Sequence, residues 1–188
     1  MPYPHSLHHN RPYPDKVCRM LRQGRQLIEV IFLKDEILHD IEADTLAVER
    51  SRHLEDTPVA IDERRQYEAC RYIDHALNDV VRKCSAYLLL PSPYAHRIST
   101  NHTKGWEEKS IYLALPHNWP PHLIGSVRDY AHDYIVKYAE SNLLAPVLSP
   151  QDSYVQYLSL AAQTALDDLN AAINERLGRD IIHPTPFG

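Results

Sequence analysis

The stretch that decides the fold is "LIGSVRDYAHDYIVKYAESNLL", residues 123–144, an apolar and periodic run that also carries a histidine, two aspartates and three tyrosines. Its apolar residues recur at intervals of three or four, which predicts a row on one face of an α-helix. With that row facing other helices, the histidine and the aspartates lie at the edge of the buried face and need no chemical role. The predicted row consists of Leu123, Val127, Tyr130, Tyr134 and Tyr138.

Three other segments have the same periodicity. The first helix is predicted to start at Asp35, which can cap it, and to fade near residues 56–58. The second spans residues 62–90, and the third begins with Ser149 as its cap and ends before Gly178. Their apolar stripes are Ile37, Leu38, Ile41, Thr45 and Val48; Cys70, Ile73, Leu77, Val80, Cys84 and Tyr87; and Val155, Leu158, Ala162, Leu166, Leu169, Ile173 and Leu177.

One segment between the helices predicts β-structure. Residues 110–115 alternate apolar and polar side chains, and the preceding "TKGWEE" at residues 103–108 is typical of a turn. We therefore expect a β-hairpin in which residues 95–101 form the partner strand. A further stretch, "QLIEVIF" at residues 26–32, fits either a strand or the start of a helix.

Proline-rich ends flank the helical region. Residues 1–15 repeat a Pro-Tyr-Pro phrase, and residues 181–188 have the same character, so both are predicted to be extended arms. Residues 16–180 are predicted to form a single helical domain, with the β-hairpin insertion at about residues 94–116. The predicted fold is mainly α, a bundle of about four helices with a small β-hairpin insertion and extended N- and C-terminal arms.

Composition limits the classes of partner. The formal net charge is −5, and no basic run of the kind that holds a phosphate backbone is present. The apolar runs are too short to span a bilayer, and the N-terminus has no apolar signal core, so we expect no membrane partner and a cytosolic location. Cys70 and Cys84 lie too far apart on one predicted helix for a disulfide, which favours reduced thiols.

A carboxylate-bridged di-metal site is the enzymatic alternative. Such sites take Glu-x-x-His from two helices and single carboxylates from two others. Glu36 and His39 have this spacing, and Asp129 and His132 have it with aspartate in place of glutamate. Acids at the start of a helix are also expected because they cap it and complement its dipole. The last helix offers only two adjacent aspartates, so the set of ligands is incomplete.

Motifs for other chemistry are missing from the sequence. It has no phosphate-binding glycine loop, no Cys-x-x-Cys pair and no nucleophile elbow. His5, His8 and His9 could hold a transition metal only adventitiously, because a proline-rich tail supplies no fixed surroundings for the ligands. We therefore predict no cofactor and no enzymatic activity.

The aromatic residues of the arms and of the polar connection indicate a protein contact. Trp106 lies in a polar turn, where a large apolar ring has little intramolecular reason to be. A small adaptor that binds another chain through Trp106 and the arms is therefore a further alternative. The predicted contact residues are Tyr3, Tyr13, Arg97, Trp106 and Phe187.

The order of the segments carries a resemblance. A helix ends in "ALNDVVRKCSAYLLLP"; after a polar loop and a strand comes "LALPHNWPPHLIGSVRDYAHDYIVKYAESNLL"; and the last helix reads "DSYVQYLSLAAQTALDDLNAAINERLGR". This pattern resembles the head–tail connector proteins, also called neck adaptor or head-completion proteins, of tailed bacteriophages and prophages. The matching residues are 76–87, 123–138 and 154–176.

The resemblance implies a structural role in the virion. Such proteins assemble as rings, commonly of about twelve subunits, by contacts between different faces of neighbouring copies. The ring lies between the portal and the tail or other neck proteins and extends the channel through which DNA passes as cargo. It would be made in the bacterial host cytoplasm and would carry no catalytic residues. The mild acidity of the chain suits a channel wall that lets DNA slide.

Overall fold

The computed structural model describes residues 24–54, 61, 63–88 and 108–177. In this part of the chain four long helices and two strands follow one another, and a single turn of 3₁₀-helix precedes the third helix. The mainly helical fold with a small antiparallel β-element is thereby confirmed. The elements are β1 (Gln26–Leu33), α1 (Lys34–Arg52), α2 (Glu63–Lys83), β2 (Glu108–Leu115), α3 (Ile124–Leu148) and α4 (Ser153–Asn174).

The two strands pair antiparallel, in a register that places Gln26 opposite Leu115 and Leu33 opposite Glu108. Alternate residues of both strands are buried, as a sheet with one face on the core requires. The strand predicted at 110–115 is confirmed, and the ambiguous stretch at 26–32 is a strand. The described partner of the strand at 110–115 is therefore β1, which precedes it in the chain by two helices. Residues 95–101, which the sequence predicts as the partner, lie outside the described residues.

The apolar stripe of α1 is confirmed, whereas its predicted cap is wrong. All five predicted core positions of α1 are buried. Leu33, the last residue of β1, occupies the N-cap position without a side-chain hydrogen bond, and Asp35 lies inside the first turn. The strand thus leads directly into the helix, so that no separate capping residue intervenes. The helix ends at Arg52, and His53 follows in the left-handed conformation.

The second helix is shorter than the periodicity predicts. It ends at Lys83, and hydrogen-bonded turns carry the chain through Tyr87. Tertiary pairing explains the early end, because the carbonyl of Tyr87 accepts the backbone N–H of Ala114 at 2.8 Å and Leu88 bridges to Leu113. Cys84 is buried just beyond the helix, and the thiols of Cys70 and Cys84 are both free.

The stretch at residues 123–144 becomes the central helix, α3, which packs against α1, α2, α4 and β1. Its tyrosine row is buried or half-buried, while Asp129 and Asp133 are exposed, as predicted. Trp119, just before the helix, is fully buried and donates from Nε1 to the carbonyl of Ala172 at 2.9 Å. That bond ties the entrance of α3 to the end of α4.

The start of α4 differs from the prediction. The N-cap is Asp152, whose carboxylate accepts the backbone N–H of Tyr154 at 2.8 Å. Ser149 instead ends α3, with a positive φ of 85°. Residues 150 and 151 therefore lie in the turn between the two caps, because the chain must reverse direction before α4 can begin. Most of the predicted α4 stripe is buried, but Leu177 lies beyond the helix and is exposed.

Candidate functional site

The proposed di-metal ligands do not converge. The carboxylate of Glu36 forms an ion pair with Arg128 at 3.1 Å, and the side chains of His39 and Asp129 are exposed. His132 is half-buried and lies 3.5 Å from Asp40. Across residues 24–54, 61, 63–88 and 108–177, no group of three or more His, Cys, Asp or Glu side chains could hold a metal ion. The helical-bundle metal site is therefore not formed by these residues.

Instead, acidic residues of α1 face basic residues of α3 along a polar seam. The acids lie four residues apart on α1, which places them on one face of the helix. From the N-terminal to the C-terminal end of both helices, the pairs are Glu36–Arg128, Asp40–His132 and Asp44–Lys137. The two helices consequently run parallel. Arg128 is 50% exposed, whereas His132 and Lys137 are 18% and 27% exposed.

At the inner end of this seam lies Glu140, which is only 1% exposed. Lys137 Nζ donates to Asp44 Oδ2 at 2.7 Å and to Glu140 Oε2 at 3.1 Å. Both carboxyl groups therefore lie against the same ammonium group. We call Asp44, Lys137 and Glu140 the seam triad. It joins α1 to α3, about one helical turn from His132 towards the C-terminal end of α3.

Burial and charge act in different directions within the seam triad. Burial raises the pKa of Glu140 to about 8, and the hydrogen bond with Asp44 adds to the increase. The same hydrogen bond lowers the pKa of Asp44. Although burial by itself would lower the pKa of Lys137, its bonds to the two carboxylates raise it. These opposite shifts favour a proton on Glu140 over a proton on Asp44.

A shallow cavity opens beside the seam triad. Its volume is about 190 Å³, and its wall includes Asp40, Asp44, His132, Asp133 and Lys137. Pockets that bind small molecules usually enclose about 300–1,000 Å³, so this one is on the scale of a few water molecules. It is lined mostly by charged groups, and its described lining contains no serine, threonine or cysteine nucleophile. The arrangement can bind and release a proton.

The remaining buried polar groups hold elements together. The hydroxyl of Tyr134 donates to Asp79 of α2 at 2.9 Å, which accounts for a tyrosine in the core row. Burial, followed by this hydrogen bond, raises its pKa. Lys109 of β2 pairs with Asp74 of α2 in a largely buried contact. Each of these pairs links two elements, which is sufficient reason for its presence.

Two exposed apolar patches lie away from the seam. On α4, Tyr157 is 59% exposed and Leu160 is 68% exposed; on the outer face of β1, Ile31 is 39% and Leu33 is 42% exposed. We call these the α4 patch and the β1 patch. The sequence analysis missed both, because it followed only the stripes that face inward. The available signal was an aromatic and an aliphatic residue three positions apart on the opposite side of a helix.

The contact residues predicted from the sequence cannot be placed. Tyr3, Tyr13, Arg97, Trp106 and Phe187 all lie outside the described residues. The same is true of the histidines of the N-terminal arm. Their proposed role in a protein contact therefore remains a prediction.

Comparisons with known proteins give no family assignment. No protein-family model, no curated protein and no solved structure matches the chain. Of the helices in the described segments, none combines the length and the hydropathy needed to cross a membrane.

Proposed function

We propose that this chain is a structural protein of the phage neck, which assembles as a ring between the portal and the tail and extends the DNA channel. The proposal starts from the sequence resemblance to head–tail connectors. Two of the three segments that carry it fall on α3 and α4, which pack against each other, and the third runs from α2 into the turns after it. In this role the chain binds copies of itself and other neck proteins, and DNA passes without being held.

The observation that carries the proposal is the pair of exposed apolar patches on different elements. A ring needs a heterologous contact, in which one face of each subunit meets a different face of the next. The α4 patch and the β1 patch provide two such faces among the described residues. Large exposed apolar side chains that lie close together are a common feature of protein contacts.

Self-association is tested first with the unmodified chain. Size-exclusion chromatography with light scattering, together with negative-stain images, should show a closed ring whose mass is a whole multiple of the subunit mass. A compact monomer that persists as the concentration is raised would contradict the proposal.

The heterologous contact is tested with Leu160→Lys in the α4 patch and Ile31→Lys in the β1 patch. Each variant alone should remain monomeric, because one half of every contact is lost. An equal mixture of the two should form heterodimers, because each pair of variants retains one intact contact. Ala47→Lys, at an exposed position of α1, is the matched control and should assemble like the wild type.

Other outcomes of the mixing experiment would each exclude a part of the proposal. Assembly blocked by Leu160→Lys alone would mean that the α4 patch binds a second α4 patch, which gives a closed dimer. Normal assembly of both variants would remove the patches from the interface. Circular dichroism of each variant establishes that a loss of assembly is not a loss of fold.

A further inference from the structure

The seam triad contains a titratable carboxyl group, Glu140, that has no role in the proposed function. Glu140 projects from α3 into a place where three helices meet. The titratable or charged groups that face it are Asp44 of α1, Lys137 of its own helix and Tyr154 of α4, whose pKa responds to burial first and then to the charge of Glu140. All four groups lie in the described part of the chain.

Charge counting shows that the triad is balanced by one proton. Two carboxylates and one ammonium group leave an unbalanced negative charge in a buried place, whereas a proton on Glu140 makes the triad neutral. Glu140 Oε2 accepts from Lys137, whereas the buried Oε1 has no hydrogen-bond partner in the described structure. An ionised carboxylate with an unpaired oxygen is costly when it is excluded from water.

The same lysine serves both carboxylates. The ion pair of Lys137 with Asp44 connects the C-terminal half of α1 to α3, and Lys137 forms a second ion pair with Glu140. An ionised Glu140 competes with Asp44 for that lysine. The cavity beside the triad is lined by Asp44 and Lys137, so water can hydrate these two groups when their bond is broken.

We propose that the seam triad is a pH-operated latch: protonated Glu140 keeps the C-terminal half of α1 against α3, and loss of its proton releases this half of the helix. The release is local, because the bond for which Glu140 competes is the one from Lys137 to Asp44 of α1. It concerns the residues of α1 after Ile41, which include Asp44. The proposal is independent of ring formation.

The direction of the effect follows from the pKa of Glu140. Its ordinary value of 4.5 rises to about 8 in the folded chain. The folded state therefore binds the proton more tightly than the unfolded state does. The stabilising contribution is complete below the unfolded value, decreases as the pH rises, and is lost once the pH passes the folded value. Local opening of α1 should therefore increase between these two pKa values and become constant above the folded one.

Hydrogen exchange of the wild-type chain tests the latch. Exchange rates of the α1 amides, corrected for the intrinsic effect of pH, are measured by mass spectrometry from mildly acidic to mildly alkaline pH. Protection in the second half of α1 should fall by up to about tenfold per pH unit between the unfolded and the folded pKa of Glu140, and it should level off above the folded value. Protection in α4 should change much less over the same range. Uniform behaviour of the two helices would overturn the proposal.

Three variants separate titration of Glu140 from other causes. Glu140→Gln keeps the shape and cannot ionise, so protection of α1 should become independent of pH. Asp44→Asn leaves Glu140 alone with Lys137, a balanced pair, so the transition should move to lower pH or vanish. Glu42→Gln removes an exposed carboxyl of the same helix and should behave like the wild type.

Some results with these variants would contradict the proposed latch. A transition that persists unchanged in Glu140→Gln would assign the titration to another group and end the proposal. If Glu140→Gln fails to fold, Asp44→Asn still decides the question, because an unshifted transition in that variant is incompatible with a shared proton.

Discussion

The two seams that α3 forms with its neighbours differ in kind. Against α4 the contact is made by aliphatic side chains and alanines, with Ala162, Ala165 and Ala172 buried and allowing the helices to approach closely. Against α1 the contact has apolar residues below and a row of acid–base pairs along its rim. The apolar seam supplies stability that varies little with pH, whereas the polar seam makes stability depend on protonation.

The largest effect should come from truncating the apolar seam. Leu169 of α4 is fully buried, so Leu169→Ala removes apolar contacts and leaves a cavity. The free energy of unfolding should fall by about 2–5 kcal/mol, measured by urea denaturation. The loss should be the same at mildly acidic and mildly alkaline pH, because the change involves no titrating group. A loss that varies strongly with pH would mean that the two seams are coupled.

A somewhat smaller loss is expected at the inner end of the polar seam. Lys137→Met leaves Asp44 and Glu140 facing each other without a cation. Because Lys137 is only half-buried, the free energy of unfolding should fall by about 2 kcal/mol. The loss should increase with pH, because without the ammonium group the carboxyls hold their shared proton more tightly in the folded state. Denaturation curves at several pH values measure this. A loss that is independent of pH would contradict the assignment.

A hydroxyl pair at the edge of the apolar seam provides an intermediate case. Ser141 of α3 and Ser159 of α4 share a hydrogen bond of 2.7 Å. Ser159→Ala leaves the buried hydroxyl of Ser141 without this partner, so the free energy of unfolding should fall by about 1 kcal/mol. The double variant with Ser141→Ala should recover part of that loss. If the single variant is neutral, the pair does not contribute to the seam.

The smallest effect is expected at the outer end of the polar seam. Glu36 and Arg128 are about half exposed, and their pair lies in water. Glu36→Gln should therefore cost less than about 1 kcal/mol, and the difference should disappear at high salt. Thermal denaturation at low and high ionic strength checks this. A large, salt-independent loss would show that the outer seam is less hydrated than its exposure indicates.

Local patterns were sufficient for some elements and failed at others for identifiable reasons. The stripe of α1 and the tyrosine row of α3 were predicted correctly, because each follows from helical spacing within one segment. The cap of α4 was assigned to Ser149 and proved to be Asp152, two candidates three residues apart with equivalent capping chemistry. Only the geometry of the turn distinguishes them.

The candidate site was harder to predict than the helices. The sequence drew attention to His132 and Asp129 because their spacing imitates a metal motif. Glu140 received no attention, although it is the most buried acid described, because a glutamate next to a tyrosine stripe is ordinarily exposed. Its burial depends on α1 and α4 covering the same turn of α3.

The sequence by itself determined the helical character of the chain, the inward face of most segments and the absence of the common catalytic motifs. Those properties depend on residues a few positions apart, and such residues interact in the same way wherever the helix is placed. Tertiary structure alone decided that β1 pairs with β2, that α2 ends at Lys83 and that Glu140 is buried beside the lysine that also binds Asp44. Each of these requires segments that are distant in the chain to meet, and only the packed fold establishes which surfaces exclude water from which charges.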